Sequence, residues 1–165
     1  EQFQDLFEEE TERFYVKDCA LDTDLEILIP DTYVSNISER LNLYKELNNF
    51  TKEEEITAFI ERLSDRFGKT PKAIYNVCDA LRLRWLAKEI GFERIILKNE
   101  RMRAYFPSKA DSPYYNSDAF RNALDYLKHH FDYCEMIENK GKLSMRIKDI
   151  YDVKGALKVC KEIVA

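Results

Sequence analysis

The run Phe59-Ile60-Glu61-Arg62-Leu63-Ser64-Asp65-Arg66-Phe67-Gly68-Lys69-Thr70-Pro71 constrains the fold more than any other part of the chain. Ile56, Phe59, Ile60, Leu63 and Phe67 recur at the three-or-four spacing of one helical face, preceded by a capping pattern at Thr51 and Glu54. Gly68 then stands where a left-handed helix end needs a residue without a β-carbon. Thr70 can cap a following helix, and Pro71 suits its first turn, where the missing amide hydrogen costs nothing. One helix must therefore stop and another start within a few residues.

The second helix carries Ile74, Val77, Cys78, Leu81 and Trp85 on one stripe and Leu83, Leu86 and Ile90 on another, which predicts cover on two sides as far as Gly91. Upstream, Val34, Ile37, Leu41, Tyr44 and Leu47 mark the buried stripe of an earlier helix, with Asn36 and Glu39 forming its N-terminal cap. The chain is extended from Phe14, and alternation at Leu25, Ile27 and Ile29 predicts a strand that Pro30 stops. Beyond Gly91, Arg94–Lys98 and Arg101–Phe106 read as two strands joined near Asn99-Glu100, and Pro107–Pro113 as a loop. A helix with Phe120, Leu124, Leu127 and Phe131 follows, then strands at Tyr133–Ile137 and Leu143–Ile147 around Asn139-Lys140-Gly141, then a last helix through Ile150, Val153, Leu157, Cys160 and Val164. The predicted class is α+β: an N-terminal strand and a three-helix segment, then two antiparallel β-hairpins with interleaved helices.

The 165 residues, 45% apolar and 13% aromatic, suffice for one well-buried core, and residues 14–165 are expected to form a single domain. Residues 1–13, rich in Glu, Asp and Gln and starting without Met, read as the remnant of a linker in an excised fragment. No run of about 18 apolar residues is present and the N-terminus is acidic, so neither a membrane span nor a signal peptide is expected, and the chain reads as cytoplasmic. A net charge of −5 favours a basic partner over a phosphate backbone or an anionic membrane. Cys19, Cys78, Cys134 and Cys160 are far apart, and the last three sit in apolar patterns that suit buried free thiols rather than zinc ligands or disulfides.

The constellations that could carry chemistry mostly have a plainer reading. Gly68-Lys69-Thr70 ends like a phosphate-binding loop, but Leu63 occupies the place of its first glycine and a helix precedes it where a strand is required. Asp22, Asp24 and Glu26 would share one face of an extended strand, and Pro30-Asp31 with Glu138-Asn139-Lys140 echoes a nuclease pattern at too long a separation. His129 and His130, as helix neighbours about 100° apart, suit a helix end better than a metal. No catalytic residue, metal site or cofactor site is expected. Two groups remain. Arg82, Arg84, Arg101 and Arg103, with Lys88, Arg94 and Lys98 nearby and Tyr105-Phe106 for aromatic company, are the candidate contacts of an accessory nucleic-acid-binding module. Asp65 and Arg66 lie off the apolar stripe of their helix and should reach solvent or a partner protein.

Three blocks in order, Ile29-Pro30-Asp31-Thr32-Tyr33-Val34, Arg40-Leu41-Asn42-Leu43-Tyr44-Lys45-Glu46-Leu47 and the Phe59-to-Pro71 run, resemble the C-terminal domain of bacterial transcription-repair coupling factors. The resemblance is specific from about Cys19 to Arg84 and looser beyond. It implies a parent chain that pushes stalled RNA polymerase off damaged DNA with an ATP-driven motor and recruits nucleotide excision repair. In that family the C-terminal domain has no catalysis of its own. It docks on the N-terminal region that is similar to the excinuclease B subunit and covers the surface that recruits the excinuclease A subunit. Asp65 matches the family's acidic residue before Arg-Phe-Gly and is the first candidate contact, with Arg66 beside it. Where the family often has a second acidic residue this chain has Arg62, with Glu61 adjacent, so the implied ion pairing is arranged differently here.

Overall fold

The computed structural model describes residues 15–165, so the acidic stretch read as a linker lies outside the described residues. The described residues separate into two compact units, residues 26–82 and, together, residues 15–25 and 83–165.

The unit of residues 26–82 is helical. Helix α1 (Ile37–Asn49) begins as the sequence predicts, with the Asn36 side chain accepting from the Glu39 amide. Helix α2 (Glu53–Phe67) buries Ile56, Phe59 and Leu63. Its start is capped one residue later than expected: the Glu55 carboxylate, not that of Glu54, accepts from the Thr51 and Lys52 amides at 3.0 and 3.2 Å. Helix α3 (Lys72–Ile90) begins here and gives Ile74, Val77, Cys78 and Leu81 to the core. The expected inward stripe of α1 holds at Val34, Tyr44 and Leu47 but not at Ile37 and Leu41. Ile37 and Leu41 are 65% and 55% exposed, and the helix turns Leu47 inward, with Leu43 and Tyr44 half-buried. The Tyr44 hydroxyl accepts the Ile29 amide at 2.6 Å and ties α1 to the segment before it.

The second unit is built on a five-stranded sheet of order β1-β2-β3-β5-β4. Strand β1 (Ala20–Thr23) pairs in parallel with β2 (Arg94–Lys98), and β2 pairs antiparallel with β3 (Arg101–Tyr105). β5 (Lys142–Lys148) lies between β3 and β4 (Cys134–Asn139), antiparallel to both. The strand expected at Leu25–Ile29 is thus displaced: the paired residues are Ala20–Thr23, and Leu28 is 61% exposed. Alternation alone located an extended segment, but pairing with β2, more than 70 positions along the chain, decides which residues form the ladder. In sequence, the whole helical unit falls between two strands that pair with each other.

Both hairpins close where their sequences place the turns, each through two residues in the left-handed region. Asn99 and Glu100 have φ of 54° and 60°, Lys140 and Gly141 of 52° and 78°. Helices α4 (Asp118–His129) and α5 (Val153–Val164) start at Ser117 and Asp152, whose side chains accept from the Phe120 and Gly155 amides. One face of the sheet is apolar, with Ile95, Leu97, Met102, Ala104, Met145 and Ile147 buried, and an aromatic cluster of Phe92, Phe106, Tyr114 and Phe120 adjoins it.

Gly91 closes α3 with φ of 105°, and the Phe92 amide donates back to the Ala87 carbonyl at 2.8 Å. A β-carbon there would lie 2.2 Å from the Tyr114 ring, whereas one on Gly68 would meet nothing within 4 Å. Gly91→Ala should therefore cost about 2–4 kcal/mol, backbone strain plus a steric clash, and Gly68→Ala about 1–2 kcal/mol from the backbone alone. Thermal unfolding of the two variants checks this order, and equal losses would mean that Tyr114 yields freely.

All four cysteines are buried free thiols. Burial pushes the thiols of Cys19, Cys78 and Cys134 up to about 12, 11 and 12, and that of Cys160 upward as well. The unfolded chain ionises them near pH 9 while the folded chain keeps them protonated. Their contribution is complete below that value and is lost as pH rises toward 11 or 12, with a slope of up to about 1.4 kcal/mol per pH unit per thiol. Urea unfolding at pH 8 and pH 10 should show a lower midpoint at the higher pH, and Ser in place of Cys134 should flatten the difference.

Candidate functional site

Helix α2 sorts its exposed charges into two rows. Glu61 and Asp65 form one, and Arg62 and Arg66 the next, each pair one helical turn apart. The arginines reach back to α1, Arg62 pairing with Glu46 and Arg66 with Glu39, so the two helices run antiparallel. Between them lies a groove of about 410 Å³ with Leu43, Phe59, Leu63 and Phe67 along it. The Arg66 guanidinium stands 4.9 Å from the centre of the Phe67 ring and that of Arg62 5.9 Å from Phe59. At 59% and 64% side-chain exposure these arginines add little stability, at most about 1 kcal/mol each, but they set the shape and charge of the groove rim. Glu61 and Asp65 are exposed, and neither has a hydrogen bond or salt bridge among the described residues. Of the four α2 residues singled out from sequence, two are held within the unit and two are free.

The segment ahead of α1 fixes where α2 ends. The Tyr33 hydroxyl donates to the Gly68 carbonyl at 2.8 Å, with the Leu63 carbonyl at 3.1 Å, and its ring packs on Phe67. Gly68 itself has φ 94° and ψ −168°, an extended mirror conformation open to glycine rather than the left-handed helical cap expected. Arg40, half-buried, donates to the carbonyls of Val34 and Ser35 at 2.7 and 3.1 Å. The Pro30–Val34 and Arg40–Leu47 blocks therefore act as scaffold for the end of α2 that carries Asp65.

The four arginines of the basic group have different surroundings. Arg82 binds Glu53 through its Nε at 3.0 Å and the buried Asp79 at 2.8 Å. Arg84 binds Asp18 at 2.5 Å and the Cys19 carbonyl at 3.2 Å. Arg101 and Arg103 lie side by side on the outer face of β3. That face continues onto β5 with Lys142, Arg146 and Lys148, which sequence reasoning passed over: the apolar alternation of Leu143, Met145 and Ile147 marked the strand, but the intervening cations were not followed. Of the acidic trio, Asp22 pairs with Arg94, whose hydrogen bond and charge hold its carboxyl below the usual range, and Asp24 accepts the Asn99 amide at 3.2 Å. His129 and His130 end α4, each with its Nδ1 against the carbonyl four residues back. No group of three or more His, Cys, Asp or Glu among the described residues is placed to hold a metal ion. No helix among the described residues is long and apolar enough to cross a membrane.

The fold is thus an α+β domain with a helical insert and charged, rather than cleft-like, candidate surfaces. The model of the TRCF domain matches residues 23–117, and the chain belongs to that family. Transcription-repair-coupling factors are similar to it over part of its length. That of Rickettsia prowazekii is 31% identical over 71 residues, 43% of this chain and 6% of the relative. That of Buchnera aphidicola is 32% identical over 88 residues, 53% and 11%. That of Escherichia coli is 31% identical over 68 residues, 41% and 6%. The matched stretch is thus about 6% of the length of the Rickettsia and Escherichia relatives. The crystal structure of the C-terminal domain of a transcription-repair coupling factor superposes with a TM-score of 0.66 at 19% identity, covering 89% of this chain and 92% of that one. The α+β class expected from sequence is therefore that of this domain.

Removing the Tyr33 hydroxyl tests the scaffold role directly. Tyr33→Phe should lower stability by about 1 kcal/mol, read as a lower urea midpoint with unchanged slope. An unchanged midpoint would mean that the hydroxyl does not hold the end of α2.

Proposed function

We propose that this chain is a non-catalytic regulatory domain of a transcription-repair coupling factor, docking through α2 on the excinuclease-B-like N-terminal region of the same polypeptide. Docked, it masks the surface that recruits the excinuclease A subunit, and undocking exposes that surface. The parent protein acts in the cytoplasm as an ATP-driven DNA translocase on stalled RNA polymerase, and residues 14–165 serve it as one domain without ATPase or nuclease activity. What carries this reading is the division of charge on α2: Arg62 and Arg66 are turned onto Glu46 and Glu39, while Glu61 and Asp65 have no partner among the described residues. A helix edge that engages its own cations and leaves its carboxylates free selects a basic partner. In this arrangement Asp65 and Glu61 make the contact, and Arg62 and Arg66 border it.

Such a cover needs only a weak contact. A tether within one chain gives the docked state a high effective concentration, and a polar interface opens again when the rest of the protein changes shape. Titrating the isolated chain into the N-terminal region of a transcription-repair coupling factor should give binding that weakens as NaCl rises from about 50 to about 300 mM. Asp65→Lys should weaken it about tenfold or more, equivalent to about 1.4 kcal/mol. Equal, salt-insensitive binding by both chains would remove Asp65 from the interface.

A further inference from the structure

The outer face of the sheet is cationic in a chain of net charge −5. Strand register, not sequence proximity, assembles it. Lys98 lies opposite Arg101, Arg101 opposite Lys148, and Arg103 opposite Arg146. Like charges directly across a ladder destabilise a sheet, so folding gains nothing from this arrangement. Two cations are partly offset, Arg94 by Asp22 and Arg146 by Glu135. Arg101, Arg103, Lys142 and Lys148 have no carboxylate partner among the described residues.

Two hollows flank these rows. One, of about 250 Å³, is lined by Arg101, Arg146 and Lys148 together with Phe131, and its carboxylates are Asp132 and Glu135. Phe131 is 77% exposed, the most exposed large apolar side chain among the described residues. The other hollow, of about 590 Å³, is lined by Arg94, Arg103, Lys140 and Lys142 around Tyr105, with Glu93 at its edge. Arg103 stands 5.2 Å from the centre of the Tyr105 ring and donates from its Nε to the Ser144 hydroxyl at 3.2 Å, which fixes its direction.

We propose that this sheet face binds a single-stranded nucleic acid, with phosphates on the Arg101, Arg103, Arg146 and Lys148 rows and a base stacked on Phe131. Alternate residues along a strand are about 6.8 Å apart and neighbouring strands about 4.8 Å, so the cations form a regular two-dimensional array. A chain carrying one charge per nucleotide and a flat ring beside each charge matches both halves of the surface, the array and the aromatic groups at its ends. A polyanion without rings, such as polyglutamate, would use the cations and leave Phe131 in water. The face belongs to the sheet unit and does not involve α2, so this proposal stands apart from the docking role.

The test is fluorescence anisotropy of the 165-residue chain with a labelled oligothymidylate of about 12 nucleotides, within the site sizes such surfaces cover. Binding should appear at about 50 mM NaCl and fall by the slope of about −0.7 per phosphate contact typical of single strands. Arg101→Ser with Lys148→Ser should cut affinity at least tenfold and reduce that slope by about 1.4. The pair relieves like-charge repulsion, and circular dichroism should show an unchanged fold. Phe131→Ala should weaken binding about fivefold or more without altering the slope. Four results would overturn the proposal: no binding at low salt, undiminished binding by the double variant, tighter binding of a duplex of equal length, or displacement of the oligonucleotide by equimolar polyglutamate. An unaltered affinity in Phe131→Ala would remove the stacked base.

Discussion

Carbonyl groups left over at the end of a helix must find donors, and in this chain two tyrosine hydroxyls supply them. Tyr33 donates to the Gly68 carbonyl beyond α2, and Tyr114 donates to the Ile90 carbonyl at the end of α3 at 2.8 Å. Each hydroxyl comes from a distant part of the sequence, 35 and 24 residues away. Each is paired with a glycine at positive φ that lets the chain leave at once. A helix end tied in this way frays less, so the backbone of its last turns keeps its place and with it the positions of the side chains it carries. For α2 those are Asp65 and Arg66, and for α3 the aromatic cluster around Tyr114 follows.

Much of this was readable in advance because it is local. Caps at Asn36, stripes on α2 and α3, the stop at Gly68 and the places of the hairpin turns depend on residues within one or two turns of each other. What could not be read depends on partners remote in the chain. The first strand is Ala20–Thr23 rather than Leu25–Ile29 because β2 chooses it, and Ile37 and Leu41 stay exposed because no remote segment among the described residues covers the start of the α1 stripe. In both places spacing gave an apolar pattern but not which face would meet the core.

The candidate surfaces divide in the same way. Asp65 and Arg66 were visible because both lie off a strong helical stripe, and the family resemblance placed Asp65 ahead of Arg-Phe-Gly. That Arg66 turns onto Glu39, 27 residues away, was not. Arg82, Arg84, Arg101 and Arg103 looked alike as sequence. In the fold Arg82 holds the buried Asp79, Arg84 holds Asp18 and a backbone carbonyl, and the two β3 arginines join Arg146 and Lys148 from some 40 residues on. Counting basic residues cannot separate those that neutralise a neighbour from those that remain available; the pairing register does.

The Asn99-Glu100 turn has its own consequence. Two side-chain-bearing residues occupy backbone angles that glycine adopts freely, and the Glu100 carbonyl also accepts the Ile150 amide at 3.0 Å. The tip of the first hairpin therefore stores conformational strain while anchoring the approach to α5. The Asp24 carboxylate accepts the Asn99 amide and the Glu100 carbonyl accepts the Ile150 amide, so this one turn ties the segment after β1 and the segment before α5 to the same end of the sheet.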